Sequence, residues 1–482
     1  LRILKKITAV ILTLILLFSL TALSAAQLNE LPPSAENIPA PPEINAKYAL
    51  LLDLQTNTVL YEKQADIQMS PASLTKIMTA LLVAESGIAL DTVVTVSNKA
   101  VNVPSGSSIL GLSAGDQISI LDLLYGLMLR SGNDAACALA EAVSGSVESF
   151  VELMNSRAAE LGMNNTHFVN PHGFADSSHY TTARDMAICS CEYIKYELLN
   201  TIASSASYEI NLTSKEGSQK TFRISNTNPL LTDSQYGDYV TGLKTGFTQL
   251  AGNCIIIRYQ REGRDLLSLI FSSPQGYRDN DAVALANYGY TQFSTIDLAR
   301  IFQERSVVVT VQNCSTEDEH NGQLELQMSS AAPSYYTTTA STANRIISGS
   351  DILTIETPAN ISAPVYAGDE IGTVTYKING ETIYSNTATA GRTVFAHIVI
   401  PDDLVPIKRE SNSSPLAAIL SSRLLWIGLA AAVITAVAIY IFVRIRKTKN
   451  RQMNRRRTTV FARERYRKNR YYYQYSSFPS FG

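Results

Sequence analysis

Ser73 and Lys76 are the first residues of the chain whose types and spacing suit covalent chemistry. They stand in Pro71-Ala72-Ser73-Leu74-Thr75-Lys76, where a loop turns into a helix. Downstream, Leu74, Ile77, Met78, Leu81 and Leu82 repeat with the period of an α-helix. Pro71 suits the start of that helix and Gly87 its end. The other positions are mostly Ala and Thr, so the helix is expected to be buried nearly all round. Lys76 is then the anomaly, because a buried ammonium is costly unless it is paired or neutralised. Three positions apart, Ser73 and Lys76 share one face. A hydroxyl at a helix N-terminus, beside a lysine whose pKa burial lowers, has the makings of a nucleophile with its base. Alone, Ser-x-x-Lys is a weak signal, and a helix cap with a snorkelling lysine fits the same residues.

Two more motifs follow in order. Ser131-Gly132-Asn133 separates a helical pattern over 118–129 from another that restarts at Asp134. A short polar turn there can present Ser131 and Asn133 to a cleft, and Asn133 can also cap the following helix. Lys244-Thr245-Gly246-Phe247 falls in a strand pattern, where an internal glycine marks close approach of something to the backbone.

The elements that must position these residues are legible around them. Residues 46–61 read as a β-hairpin. Helices are expected over 146–161, 182–198 and 282–293. Apolar strands over 239–248, 254–259 and 266–271, joined by short loops, form an antiparallel meander. The turn-rich loop 166–173 and its surroundings hold His167, His172 and His179. Without an acidic pair or i, i+4 spacing, they read as loop-organising side chains and not as metal ligands. Three of the five cysteines fall in apolar or helical surroundings, which favours small buried hydrophobes over a disulfide framework, and there is no usual zinc spacing. Residues 301–405 change texture to period-2 strands with Gly, Pro and Asn turns, which predicts a small all-β domain.

The net charge of −2 hides a lopsided distribution. Residues 444–482 hold thirteen Arg or Lys against the single Glu464, and residues 1–26 hold Arg2, Lys5 and Lys6 with no acid. The body between is therefore strongly acidic, which points to a membrane topology and away from nucleic acid. A basic start, an apolar run from Ile7 to Leu20 and small residues at Ser24-Ala25-Ala26 predict a signal peptide over 1–26. A linker is expected over 27–45 and another over 406–423. The uncharged stretch 424–443 is long enough for a transmembrane helix. The basic residues 444–482 after it predict a cytoplasmic tail, and so a single-pass protein of the bacterial cell membrane with its catalytic domain outside.

In their order, the three motifs match a set found in class A β-lactamases and penicillin-binding proteins. The chain resembles the low-molecular-mass penicillin-binding proteins, specifically the serine D-alanyl-D-alanine carboxypeptidases. The likeness extends to Ser131-Gly132-Asn133-Asp134-Ala135-Ala136, Asn170-Pro171-His172-Gly173, His179-Tyr180-Thr181-Thr182-Ala183 and Lys244-Thr245-Gly246-Phe247-Thr248, within roughly residues 40–300. It implies an α/β (α+β) serine β-lactamase/transpeptidase-like domain over 46–300, an antiparallel sheet flanked by helices. Ala363-Pro364-Val365-Tyr366 resembles the C-terminal domain of the same enzymes. The implied activity removes the last D-alanine from peptidoglycan stem pentapeptides, without cofactor or metal, and β-lactam antibiotics would act as covalent inhibitors. The implied roles are Ser73 as nucleophile, Lys76 as base and Ser131 as proton relay, its hydroxyl oriented by Lys76 and Lys244. Asn133, Lys244, Thr245, Gly246 and Phe247 would bind substrate, with the N–H groups of Ser73 and Phe247 as oxyanion hole and Arg278 as a weaker carboxylate contact. The chain departs from the pattern in two ways. No deacylating glutamate is visible between the second and third motifs, and a hydrophobic span stands where many such enzymes carry an amphipathic helix. A D,D-endopeptidase and a low-turnover penicillin-binding sensor remain alternatives.

Overall fold

The sheet that carries the third motif has both faces buried, and its strands say why. In strand β1 (Tyr48–Asp53), Leu50 and Leu52 enter one apolar core while Ala49 and Leu51 enter another. The alternation follows from the two-residue repeat of a strand, and apolar residues on both faces call for helices on both sides. The structure, a computed structural model, describes residues 28–31, 38, 40–331, 333–349, 352–378 and 380–397.

After β1, the hairpin closes with β2 (Thr58–Lys63). A 3-10 turn at Ala72–Thr75 feeds helix α1 (Lys76–Glu85), in which every residue from Lys76 to Val83 is buried. Next come β3 (Val93–Thr95), the short α2 (Asn98–Val101), β4 (Gln117–Ser119) and α3 (Ile120–Met128). Helices α4 (Asn133–Ser144), α5 (Val147–Glu160), α6 (Ala183–Ile194) and α7 (Glu197–Ser204) complete the helical layer around α1. Strands β5 (Ser207–Thr213) and β6 (Gln219–Ser225) join β3 and β4 in a small side sheet.

The chain then returns to the main sheet with β7 (Val240–Thr248), β8 (Gly252–Arg261) and β9 (Arg264–Ser273), and α8 (Arg278–Gln292) covers its second face. Strand order is β2-β1-β9-β8-β7, antiparallel throughout, which leaves β7 at an edge. A three-layer helix–sheet–helix domain results. Cys137, Cys189, Cys191 and Cys254 are free thiols buried within it.

A smaller β-rich part follows, with β10 (Phe293–Asp297), α9 (Leu298–Glu304), β11 (Val308–Gln312), β12 (Gln323–Met328), β13 (Tyr335–Thr339) and α10 (Ala340–Ser348). It continues with β14 (Leu353–Glu356), β15 (Ile361–Ser362), β16 (Glu370–Ile378) and β17 (Glu381–Ala390). A third apolar core fills it, including Phe302, Leu324, Val374 and Tyr376. Buried Asp53 ties it to the first sheet, accepting from Thr295 Oγ1 at 2.7 Å and from Arg264 at 3.3 Å.

The expectation of a C-terminal transmembrane helix is corrected here. Among the described residues, no helix is long and apolar enough to cross a membrane. The stretch 424–443 lies outside the described residues, as do the signal peptide, the linker 406–423 and the basic tail. The span rested on an uncharged stretch followed by basic residues, and such a pattern in the sequence does not by itself establish a helix. The fold class is thus an α/β sheet–helix domain plus a small β domain. The single-pass topology and membrane location drawn from the span are not supported.

Candidate active site

Ser73 does not start an α-helix. It sits inside the 3-10 turn Ala72–Thr75, and the α-helical hydrogen bonding begins at Lys76. With three residues per turn, a 3-10 turn eclipses positions i and i+3, so Ser73 and Lys76 meet more directly than in an α-helix. Ala72 enters the turn in the left-handed region, at φ 48°, a strained setting for a residue with a Cβ. Packing holds it there. Thr75 Oγ1 donates to the Ala72 carbonyl at 2.9 Å and lies 2.8 Å from His179 Nε2. His179 Nδ1 accepts from the Val169 N–H at 3.1 Å, so the neutral ring carries its proton on Nε2 and donates to Thr75. Burial pushes the His179 pKa down to about 4, which keeps that ring neutral. Gly173, at φ 85°, closes over the turn so tightly that a Cβ there would lie 1.8 Å from the Ala72 carbonyl oxygen.

Lys76 is fully buried and surrounded by three polar partners. Its Nζ lies 3.0 Å from Ser73 Oγ, 2.8 Å from Asn133 Oδ1 and 2.7 Å from the His172 carbonyl oxygen. Burial, then the nearby Lys244 charge, holds its pKa well below the usual lysine value. A neutral amine has two N–H donors and one lone pair. Asn133 Oδ1 and the His172 carbonyl can only accept, so they take both N–H groups and leave the lone pair facing the Ser73 hydroxyl. Asn133 therefore does not cap its helix as its position suggested. The N-cap residue of α4 is Gly132, with no side-chain capping bond.

Ser131 is also held at positive φ, 62°, in the turn between α3 and α4. Its Oγ is buried with no hydrogen-bond partner among the described residues. The expected orientation of this hydroxyl by Lys76 and Lys244 is not what the geometry gives. Lys76 spends its contacts on Ser73, Asn133 and His172, and Lys244 Nζ donates to the Thr245 carbonyl at 3.0 Å.

The third motif lies on the edge strand β7. Gly246 packs against the nucleophile turn, where a Cβ would come 3.2 Å from the Ser73 nitrogen and 3.4 Å from the Leu74 nitrogen. Lys244 is buried beneath the strand, and burial, with Arg278 adding repulsion, lowers its pKa to about 7. Thr245 and Thr227 pair their hydroxyls at 2.6 Å, and Phe247 is well exposed.

One cavity of about 790 Å³ gathers these groups. Ser73, Ser131, Asn133, Thr245, Gly246 and Phe247 line it, together with Arg278, and no Asp or Glu is among the lining residues. Lys76 and Lys244 stand behind that wall. Three contributors escaped sequence reasoning: Thr227, the carbonyl of His172 and the Asp134 carboxylate behind the second motif. The first two carried no signal, because a carbonyl has no residue type and Thr227 lies in an unremarkable loop.

The sequence profile of the D-alanyl-D-alanine carboxypeptidase family matches residues 35–275. The D-alanyl-D-alanine carboxypeptidase DacF of Bacillus subtilis (strain 168) is 33% identical over 351 residues, which is 72% of this chain and 85% of that protein. Penicillin-binding protein 5 from Haemophilus influenzae superposes with a TM-score of 0.55 at 28% identity, covering 74% of this chain and 99% of that one. The Streptomyces K15 DD-transpeptidase superposes with a TM-score of 0.50 at 35% identity, covering 52% and 99%. A buried serine–lysine turn facing an edge strand, and likeness that runs through most of a relative's length, lead to one assignment: the chain belongs to the D-alanyl-D-alanine carboxypeptidase family.

Proposed function

We propose that Ser73 is the nucleophile and neutral Lys76 its base in a serine D-Ala-D-Ala carboxypeptidase that acts on peptidoglycan stem peptides. As Ser73 Oγ attacks the carbonyl carbon of the penultimate D-alanine, its proton passes to the Lys76 lone pair. The N–H groups of Ser73 and Phe247 hold the oxyanion, and the packing of Gly246 against the Ser73 backbone supports that pairing. The C–N bond then breaks. The unpartnered Ser131 hydroxyl turns to meet protonated Lys76 and relays its proton to the leaving amine, and D-alanine departs. The unpartnered Ser131 Oγ suits this role, because no existing bond must break first. Water attacks the ester by the same route in reverse and restores Ser73.

Asn133 keeps its amide N–H₂ for a substrate carbonyl, since its oxygen is engaged by Lys76. The terminal carboxylate goes to Arg278, Thr245 and Thr227 on the cavity wall, where a guanidinium can bind it through two oxygens. Lys244, behind them, contributes a second positive charge when protonated and disfavours the charged form of Lys76. β-Lactams fit the same site, as a strained amide with a carboxylate nearby.

The observation that carries this reading is the hydrogen-bond accounting at Lys76, in which two acceptors consume both N–H groups and point the lone pair at Ser73. Release of free D-alanine from a peptide ending in D-Ala-D-Ala tests it. Wild type should release D-alanine with an ascending pH limb far below the usual lysine pKa, and Ser73→Ala and Lys76→Met should not. Full turnover by Lys76→Met would remove the base from the mechanism.

A further inference from the structure

The loop opposite β7 is built with more care than a surface loop requires. Residues 105–108 line the same cavity as Ser73, and the following residues are pinned to the second motif. Asp134 Oδ1 accepts from the Leu110 N–H at 2.7 Å, and Oδ2 accepts from Gly111 at 2.9 Å and Leu112 at 3.0 Å. Three consecutive backbone N–H groups thus converge on one carboxylate that is only 2% exposed. Such a run of N–H groups makes an anion-binding concavity, filled here by the protein's own side chain. Next to it, the Asn133 N–H donates to the Ser108 carbonyl at 2.8 Å.

Two glycines make room for the clamp. A Cβ on Gly132 would lie 2.9 Å from Asp134 Oδ1 and 3.0 Å from the Leu110 nitrogen. A Cβ on Gly126 would lie 2.5 Å from Leu110 Cδ2, so the Leu110 side chain seats in a notch on α3. The middle residue of Ser131-Gly132-Asn133 is therefore fixed by the loop and not by the catalytic turn alone. Asn133 reaches Lys76 with its side chain and the loop with its backbone, so one residue links the base to this wall.

The clamped loop also carries a hydroxyl without a partner. Ser107 lines the cavity, and its Oγ is buried with no hydrogen-bond partner among the described residues. A buried hydroxyl left without a partner is uncommon. We infer that Ser107 Oγ is a further substrate-contacting group, which bonds a backbone amide of the stem peptide upstream of the scissile bond, and that Asp134 is the residue that positions it. Residues of β7 and of the Ser105–Ser108 loop line the same cavity, so a peptide lying in it can touch both. This inference rests on the acylation of Ser73 proposed above.

A mutant cycle on the full chain tests it, with D-alanine release from a tripeptide ending in D-Ala-D-Ala as readout. Ser107→Ala should lower kcat/KM by about three- to tenfold, the range for loss of one neutral hydrogen bond, mostly through KM and with unchanged thermal stability. Asp134→Asn turns an amide N–H₂ toward backbone donors and should lower kcat/KM by more. In the Asp134→Asn background, Ser107→Ala should cost less than about twofold, because the hydroxyl is already misplaced. A merely structural Asp134 would leave the two losses multiplicative. Unchanged kcat/KM in Ser107→Ala overturns the contact, and decides the matter even if Asp134→Asn fails to fold. Multiplicative losses overturn the positioning role. Absence of D-alanine release by wild type overturns the parent reading and this inference with it.

Discussion

Lys244→Met should make the protein more stable at neutral pH while harming its chemistry. Lys244 is buried, and its pKa falls from 10.5 to about 7 in the fold, first through burial and then through Arg278. Each pKa unit corresponds to about 1.4 kcal/mol. At pH 7 the unfolded lysine is charged while the folded one is half charged, so the buried site costs about 4 kcal/mol relative to an apolar side chain of similar shape. Losing the hydrogen bond from Nζ to the Thr245 carbonyl returns about 1 kcal/mol, leaving a net gain of about 3 kcal/mol. The sign depends on pH in a defined way. A depressed lysine pKa means that the unfolded chain binds the proton that the folded chain releases, so wild-type stability climbs between pH 7 and 10.5 and the advantage of the variant shrinks. Urea unfolding followed by circular dichroism should show the gap closing to within about 1 kcal/mol near pH 10. The same substitution removes a charge that depresses the Lys76 pKa, so the ascending limb of Ser73 acylation should move to higher pH. A variant that is no more stable at neutral pH, or whose gain is the same at every pH, would refute this account of the buried lysines.

Gly173→Ala should cut Ser73 acylation by about a hundredfold, since a methyl 1.8 Å from the Ala72 carbonyl must displace the nucleophile turn; stopped-flow acylation by a chromogenic cephalosporin measures it. Arg278→Ala should lower kcat/KM for a D-Ala-D-Ala peptide by about ten- to a hundredfold, mostly through KM, as expected for a charge-assisted bond to the terminal carboxylate. A peptide amidated at that carboxylate should be insensitive to the substitution. The penicillin adduct should outlast the assay by hours, because its leaving amine stays tethered where the Lys76-activated water must approach and no carboxylate lines the cavity to activate water elsewhere; intact-mass spectrometry over time follows it.

Much of the site's character lay in local patterns, and what stayed hidden depends on contacts distant in sequence. The spacing of Ser73 and Lys76, with apolar residues around them, announced a buried lysine beside a hydroxyl, and Gly246 announced a close approach to a strand. Local pattern could not show that Asn133 would spend its side chain on Lys76 across 57 positions. Nor could it show that the third acceptor would be a backbone carbonyl of the His172 loop. The 3-10 character of the Ser73 turn was missed because its apolar rhythm continues smoothly into α1. In the expected helix over 182–198, a break between α6 and α7 was hidden for the same reason, with apolar residues spaced helically on both sides. The transmembrane expectation shows the opposite failure, in which one strong hydropathy signal was read without any packing partner to test it.

The central claim is that Ser73, activated by neutral Lys76, forms the acyl-enzyme. The most direct measurement treats the protein with benzylpenicillin, quenches, digests with trypsin and maps the added mass. Cleavage after Lys63 and Lys76 gives the peptide 64–76, which contains Ser73. The account predicts that this peptide carries one whole penicillin as an ester on Ser73, absent from Ser73→Ala and formed far more slowly in Lys76→Met. Label on another peptide, or undiminished label in Ser73→Ala, would contradict it.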